Sequence, residues 1–317
     1  MLETFLTTLG EMSQILMLLA LGYLFNKLRV ITRAAEQVLS RLATMLFLPS
    51  LTLYSNMMEC KIESLASYVP LVMVGTAFCL VSILIGYPAA KLFEKEDEYQ
   101  QGVYRYAMAI PNTGAVGTPL MLAFFGTSGL FQLNLFGFVS GILTYSWGIV
   151  QLQPSHGKTT FVQNLKKCIN PQFLAMVTGM ILGLLGADQW MPTPVVDVVS
   201  DLGSCYVTIA LLLTGFSLAD YPITEVFGDV KVYLYTLLRL ILMPCLYLVI
   251  MLIFKAPLML AIMVALTYAS PCGMNVVIYP AAYNKECKAG ASMVLISTLV
   301  SMVSVPVIYA LVQFFFA

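Results

Sequence analysis

Asn112, Thr113 and Asn275 are polar, uncharged side chains set among prolines and glycines in two stretches without charge. The first reads PNTGAVGTP, in which Pro111 and Pro119 bracket Gly114 and Gly117. The second reads PCGMNVVIYP, in which Pro271 and Pro280 bracket Gly273 and Asn275. Neither holds a nucleophile with its base or a metal-ligand cluster, so no catalytic residue, metal or cofactor is expected. These residue types offer amide and hydroxyl hydrogen bonds beside an opened backbone. Each proline lacks an N–H and crowds the preceding turn, and the glycines loosen the chain between them.

The elements that carry these stretches belong in a membrane. The first lies in a run of 52 residues, Tyr106 to Gly157, with no Asp, Glu, Lys or Arg. One helix of that length would reach ~78 Å, whereas the hydrocarbon core is ~30 Å thick. The run therefore holds two spans, near Tyr99–Gly126 and Ser128–Leu152. The second stretch sits in the uncharged segment Leu258 to Asn284. A helix broken inside a bilayer is tolerated only where its backbone is buried in protein or lines a wet cavity. Paired broken segments at matching places in two halves point to the substrate site of a secondary transporter. The alternative is a pair of ordinary kinked spans packed by their neighbours. On the transporter reading the second half-helices begin near Gly117 and near Tyr279. Their amino ends, each carrying roughly half a positive charge, then face one pocket and favour an anion such as a carboxylate.

Composition agrees: 60% of residues are hydrophobic and 10% charged, with mean hydropathy +0.88. The fold class expected is an all-α polytopic membrane protein. Net charge is zero, which gives no reason to expect nucleic-acid binding. The seven cysteines show no CxxC or disulfide spacing. The amino terminus carries acids and no basic n-region, so the first span is expected to be retained rather than cleaved.

Ten spans are predicted, at about 5–27, 36–58, 66–92, 99–126, 128–152, 170–187, 195–219, 231–254, 257–284 and 288–316. Odd-numbered loops and adjoining span ends carry fourteen of the sixteen Lys and Arg. Odd loops are thus cytoplasmic and both termini extracytoplasmic. Five spans per half is an odd number, so a duplicated half inserts upside down. Residues 1–152 and 170–317 are then inverted five-helix repeats joined by a short cytoplasmic connection, 153–169, holding His156, Lys158, Lys166 and Lys167. Ionisable groups near the spans are functional candidates. Arg239 and Arg105 attract an anion or snorkel to the interface. Asp201 is a proton-responsive gate or a solvated helix end, and Glu11 also lies toward the outer face. Gly137-x-x-x-Gly141 and Gly179-x-x-x-Gly183 permit close helix approach.

PNTGAVGTPL followed by FFG resembles the fourth-span signature of the auxin efflux carrier family, which includes PIN-type plant exporters and bacterial organic-acid carriers. SPCGMNVVIYPAAYN is similar to that family's second crossover. Gly22-Tyr23, FLPSL around Pro49 and LLLTGFSLA give weaker support. The resemblance implies crossed broken helices 4 and 9, and a substrate site at Pro111, Asn112, Thr113, Gly114, Gly117, Pro119, Pro271, Gly273, Asn275 and Pro280. It also implies a scaffold of spans 1, 2, 6 and 7, a moving unit of spans 3–5 and 8–10, a homodimer, and export or exchange of carboxylates such as malonate, malate or auxin-like acids. Two departures stand out. The long hydrophilic loop of the plant members is missing between spans 5 and 6, which suits a microbial protein of the bacterial inner membrane. Span 3, Ser64 to Ala90, has no charge, so the carboxylate and lysine of the plant members have no counterpart there.

Absent motifs narrow the class. No Asp-Asp pair stands in span 5, which argues against a sodium/proton antiporter of related architecture, and no Walker A, HExxH, CxxC or GxSxG pattern occurs, so neither ATP use nor enzymatic activity is expected. The partners expected are a small organic anion, lipid, and a proton or sodium as coupling ion. Two other readings are a sodium-coupled symporter of bile-acid type and a non-transporting membrane sensor on the same fold. The segments Ile110–Leu120 and Ser270–Pro280 contain no acid to hold sodium, which weighs against the first. A sensor would normally carry an appended signalling domain.

Overall fold

The structure, a computed structural model, describes residues 2–153, 169–219, 230–282 and 287–316. The connection residues His156, Lys158, Lys166 and Lys167 lie outside the described residues, as do Lys285 and the side chain of Glu11. Among the described residues the regular elements are helices, joined at one place by an isolated β-bridge.

The first half comprises α1 (Leu2–Lys27), α2 (Arg33–Leu42), α3 (Leu48–Glu59), α4 (Leu65–Phe93), α5 (Glu98–Ala109), α6 (Thr118–Phe136), α7 (Phe138–Leu143) and α8 (Ile149–Leu152). The second comprises α9 (Pro171–Leu184), α10 (Thr193–Leu218), α11 (Val230–Leu237), α12 (Met243–Ile253), α13 (Leu258–Ala269), α14 (Asn275–Ala282) and α15 (Lys288–Phe316). Side chains start several of them. Thr32 accepts from the Ala35 amide at α2, Asp97 from Tyr99 and Gln100 at α5, and Asn170 from Phe173 at α9. Each satisfies donors that the first helical turn leaves open.

Among the described residues four single π turns interrupt the helices, at Ala43–Phe47, Thr113–Gly117, Thr144–Gly148 and Leu238–Leu242. Three of them end two residues before a proline, namely Pro49, Pro119 and Pro244. A widened turn makes room for a ring that would clash in a regular α-helix. The chain thereby stays continuous through α2–α3 and through α11–α12.

Six described helical segments are long and apolar enough to cross a membrane: Arg33–Glu59, Ile62–Phe93, Thr118–Phe136, Thr193–Leu218, Val230–Ile253 and Lys288–Phe316. Phe138–Leu152, Pro171–Leu184 and Leu258–Ala269 are shorter and apolar. The segments predicted at 99–126 and 257–284 do not qualify as single long helices because each is cut, as its prolines and glycines require. α6 also turns within itself. Gly126 has φ +60 and ψ −151, a conformation open essentially to glycine alone. It falls at the boundary expected between Gly126 and Ser128.

Two packed sets of helices flank the bridge. In one, α1 lies against α10 and α3 against α9. A Cβ on Gly22 would stand 2.0 Å from the Leu212 carbonyl oxygen, and one on Gly215 would stand 1.9 Å from that of Leu19. Gly179 and Gly183 let α9 approach α3 in the same way. In the other set α4, α5, α11, α12, α13 and α15 share a buried core, which Ile15 and Leu19 of α1 and Leu211 and Leu218 of α10 join. Tyr247 stacks edge-on to Tyr268 and its hydroxyl bonds the Ser82 hydroxyl at 2.6 Å. Outward side chains such as Leu84 and Met73 on α4 are apolar and well exposed, as a lipid-facing surface requires.

Candidate functional site

The site grows out of two helix breaks that meet. α5 ends at Ala109, and Ile110 is extended at φ −109, ψ 106. α13 ends at Ala269, and Ser270 is extended at φ −68, ψ 153. Pro111 and Cys272 then form an antiparallel bridge. The Asn112 amide donates to the Pro271 carbonyl at 2.8 Å, and the Gly273 amide to the Ile110 carbonyl at 3.0 Å. Each break thus uses the other to satisfy backbone that its own helix cannot. The approach is close at Gly273: a Cβ there would lie 3.2 Å from the Ile110 carbonyl oxygen and 3.4 Å from the Tyr106 ring, so a larger residue would have to push its neighbours back by a few tenths of an ångström.

The helices resume beyond the bridge. The π turn Thr113–Gly117 leads into α6, and α14 starts at Asn275. The start of the second half-helix expected near Tyr279 is thereby corrected to Asn275. The chain turns helical soon after the bridge, and Pro280 lies inside α14. Pro119 likewise falls in the first turn of α6, just past the widened turn, where a missing N–H costs little. The breaks therefore sit at the first proline of each pair, Pro111 and Pro271, and the second prolines do not cause them.

A cavity of about 1000 Å³ opens beside the bridge. Pro111, Asn112, Thr113, Gly114, Gly273 and Asn275 line it. Gly117, Pro119, Pro271 and Pro280 are not among its lining residues. From the bridge the cavity runs between α10 and α7 to an exposed rim at Gln37, Ser40 and Arg41 of α2. Away from that rim α3 and α6 are tied together. Thr127 Oγ1 donates to Glu59 Oε1 at 2.7 Å, and Tyr68 of α4 meets Phe131 of α6 edge-on beside them.

Sequence reasoning missed several wall residues. Tyr106, fully buried, accepts a hydrogen bond from Asn275 Nδ2 at 2.8 Å. Tyr206 brings its hydroxyl near Gly114, where a Cβ would lie 3.2 Å from it. Tyr145, Asn134 and Thr214 also face the space. Tyr106 stands five residues before Pro111, within the last turns of α5, and that nearness was the one available signal. Tyr206 and Thr214 come from a helix whose sequence shows no break.

The three ionisable candidates lie away from the cavity wall. Asp201 is exposed on α10. Arg105 rests 4.7 Å from the centroid of the Tyr87 ring and donates to Gln101 Oε1 at 2.8 Å. Arg239, 2% exposed, turns inward rather than snorkelling. Its Nε donates to the Ala107 carbonyl at 2.6 Å, Nη2 to that of Pro271 at 3.2 Å, and Nη1 to that of Ser270. Of the glycine pairs, Gly179 and Gly183 pack against α3, whereas Gly137 and Gly141 line the cavity.

Polar uncharged side chains, opened backbone and two new helix starts thus surround the bridge end of one space, with Glu36 and Arg41 at its far end, and suit a small polar or anionic ligand there. Comparison with the sequences of curated proteins gives no match. The family model described as Membrane transport protein matches residues 7–309, and the chain belongs to that family, the auxin efflux carrier family of membrane transporters.

Proposed function

We propose that the protein is a secondary carrier for small organic anions, carboxylates such as malonate, malate or auxin-like acids, bound beside the bridge. The observation that carries this reading is the convergence of the Thr113 and Asn275 helix starts on one cavity lined by Asn112, Thr113 and Asn275. Helix starts present unpaired N–H groups and partial positive charge. An anion gains from both, and the neutral side chains orient it without competing for its charge.

Transport follows an elevator-type scheme in which spans 3–5 and 8–10 move against spans 1, 2, 6 and 7, within two inverted five-helix repeats whose helices 4 and 9 cross. The Arg41 rim lies on the side that the Lys and Arg distribution assigns to the cytoplasm, so the cavity represents an inward-open state. The Glu59–Thr127 contact then closes the outer side. A homodimer through the scaffold, a surrounding lipid phase in the bacterial inner membrane, and a proton or sodium as coupling ion complete the proposal.

The test is uptake of labelled mono- and dicarboxylates into proteoliposomes, with sodium or choline as the external cation. Saturable uptake in choline supports the carrier. Uptake that needs sodium supports the symporter of bile-acid type, and binding without uptake supports the sensor.

A further inference from the structure

The bridge has a second side, and Arg239 occupies it. In an α-helix the carbonyl of Ala107 would accept from the amide of residue 111. That residue is Pro111, which has no N–H. The Arg239 Nε takes the place of that donor at 2.6 Å. Ser270 and Pro271 follow the end of α13, and the two Nη atoms of Arg239 reach their carbonyls, that of Pro271 alongside the Asn112 amide. Among the described residues the hydrogen-bond partners of this guanidinium are backbone carbonyls, contributed by both interrupted helices. One turn earlier, on α11, the Tyr235 hydroxyl donates to the Tyr104 carbonyl, so the same span grips α5 twice.

The charges balance. Each half-helix end carries roughly −0.5 of an elementary charge. Two such ends sum to about −1, which one guanidinium cancels. Converging carbonyl oxygens are also what hard monovalent and divalent cations bind. The planar fork of arginine meets three carbonyls in different directions, a task that the point charge of lysine performs less well.

We propose that Arg239 is a positioning residue acting as a built-in cation, which binds the carbonyl ends of both broken helices, holds the bridge together and leaves only the positive helix starts facing the cavity. A free monovalent cation or a small guanidinium replaces it when the side chain is removed. The effect on cavity charge rests on the anion reading given above; the replacement by a free cation does not.

The experiment compares the purified full chain with Arg239→Ala in thermal unfolding, in choline chloride, sodium chloride and added methylguanidinium chloride. A cation that binds the native state raises its apparent stability. The wild type is expected to melt alike in all three. Arg239→Ala should melt lower in choline and recover in sodium or methylguanidinium. Equal melting of the variant in all three solutions overturns the proposal.

Should Arg239→Ala fail to fold even with methylguanidinium present, the pair Arg239→Lys and Arg239→Gln carries the test. Lys, which keeps the charge, should lie closer to wild type in melting. It should also bind carboxylate about tenfold or more tightly than Gln, the worth of one charge-assisted hydrogen bond. Gln equal to or better than Lys in melting overturns the proposal. Failure of the wild type to bind any carboxylate counts against the anion reading alone, since the melting comparison uses no substrate.

Discussion

The two sides of the bridge are built from the same two helix breaks and differ in almost everything else. On the cavity side lie helix starts, half-buried neutral side chains and about 1000 Å³ of space. On the other lie helix ends, a buried arginine and close packing around Tyr235, Tyr247 and Tyr268. Breaking a helix creates a positive and a negative end together, and the fold sends them in opposite directions. The difference teaches that a binding site made from backbone also needs a place to dispose of the carbonyls it releases.

The largest effect should come from erasing the closed side. Arg239→Gln leaves the buried Ala107 and Ser270 carbonyls short of a donor, while Pro271 keeps the Asn112 amide, and is expected to cost about 2–6 kcal/mol, read as a lowered unfolding midpoint. A midpoint within error of wild type would remove the distinction between the two sides.

Next comes the open side. Asn112→Ala should weaken carboxylate binding by roughly five- to a hundred-and-fifty-fold, the equivalent of about 1–3 kcal/mol for a lost partner in a buried site. Its unfolding midpoint should stay close to that of wild type, because the bridge is made by the Asn112 backbone and not by its side chain. A variant that unfolds early while binding normally would reverse the roles assigned to the two sides.

Tyr106→Phe sharpens the comparison at its boundary. The hydroxyl, itself part of the cavity wall, accepts from Asn275, so its loss should loosen one ligand-facing amide without opening the bridge. A decrease in affinity of roughly two- to twelvefold is expected, from about 0.5–1.5 kcal/mol for a neutral hydrogen bond. Calorimetric titration of the variant checks it.

The smallest effects belong to the second prolines. Pro119→Ala and Pro280→Ala should each change uptake by about twofold at most, as substitutions that leave both breaks intact. A large loss in either would return the breaks to the places first expected from the sequence.

Much of this was legible beforehand because prolines and glycines act locally. Pro111, Gly114, Pro271 and Gly273 marked both interruptions, and the uncharged runs around them marked the membrane. Gly126 kinks α6 close to the boundary that the length argument placed there. The pairing of the two breaks was less visible, since a bridge between Pro111 and Cys272 depends on tertiary approach across about half the chain. The arginine was legible only as an anomaly. Its charge suggested a ligand or an interface, and nothing local showed that Pro111 leaves Ala107 in need of a donor. The prolines at 119 and 280 misled for a related reason: a proline that a helix accommodates, at its start or inside it, has the same letter as one that breaks a helix.

The central claim is that the cavity side of the bridge holds an organic anion, and Asn112 tests it most directly. Asn112→Asp keeps the size of the side chain and places a negative charge where the helix starts favour that of the ligand. Equilibrium titration of a carboxylate that wild type binds, against Asn112→Ala and Asn112→Asp side by side, gives the decisive ordering. The account predicts wild type tightest, Ala weaker and Asp weakest. An Asp variant that binds the anion better than the Ala variant would contradict it.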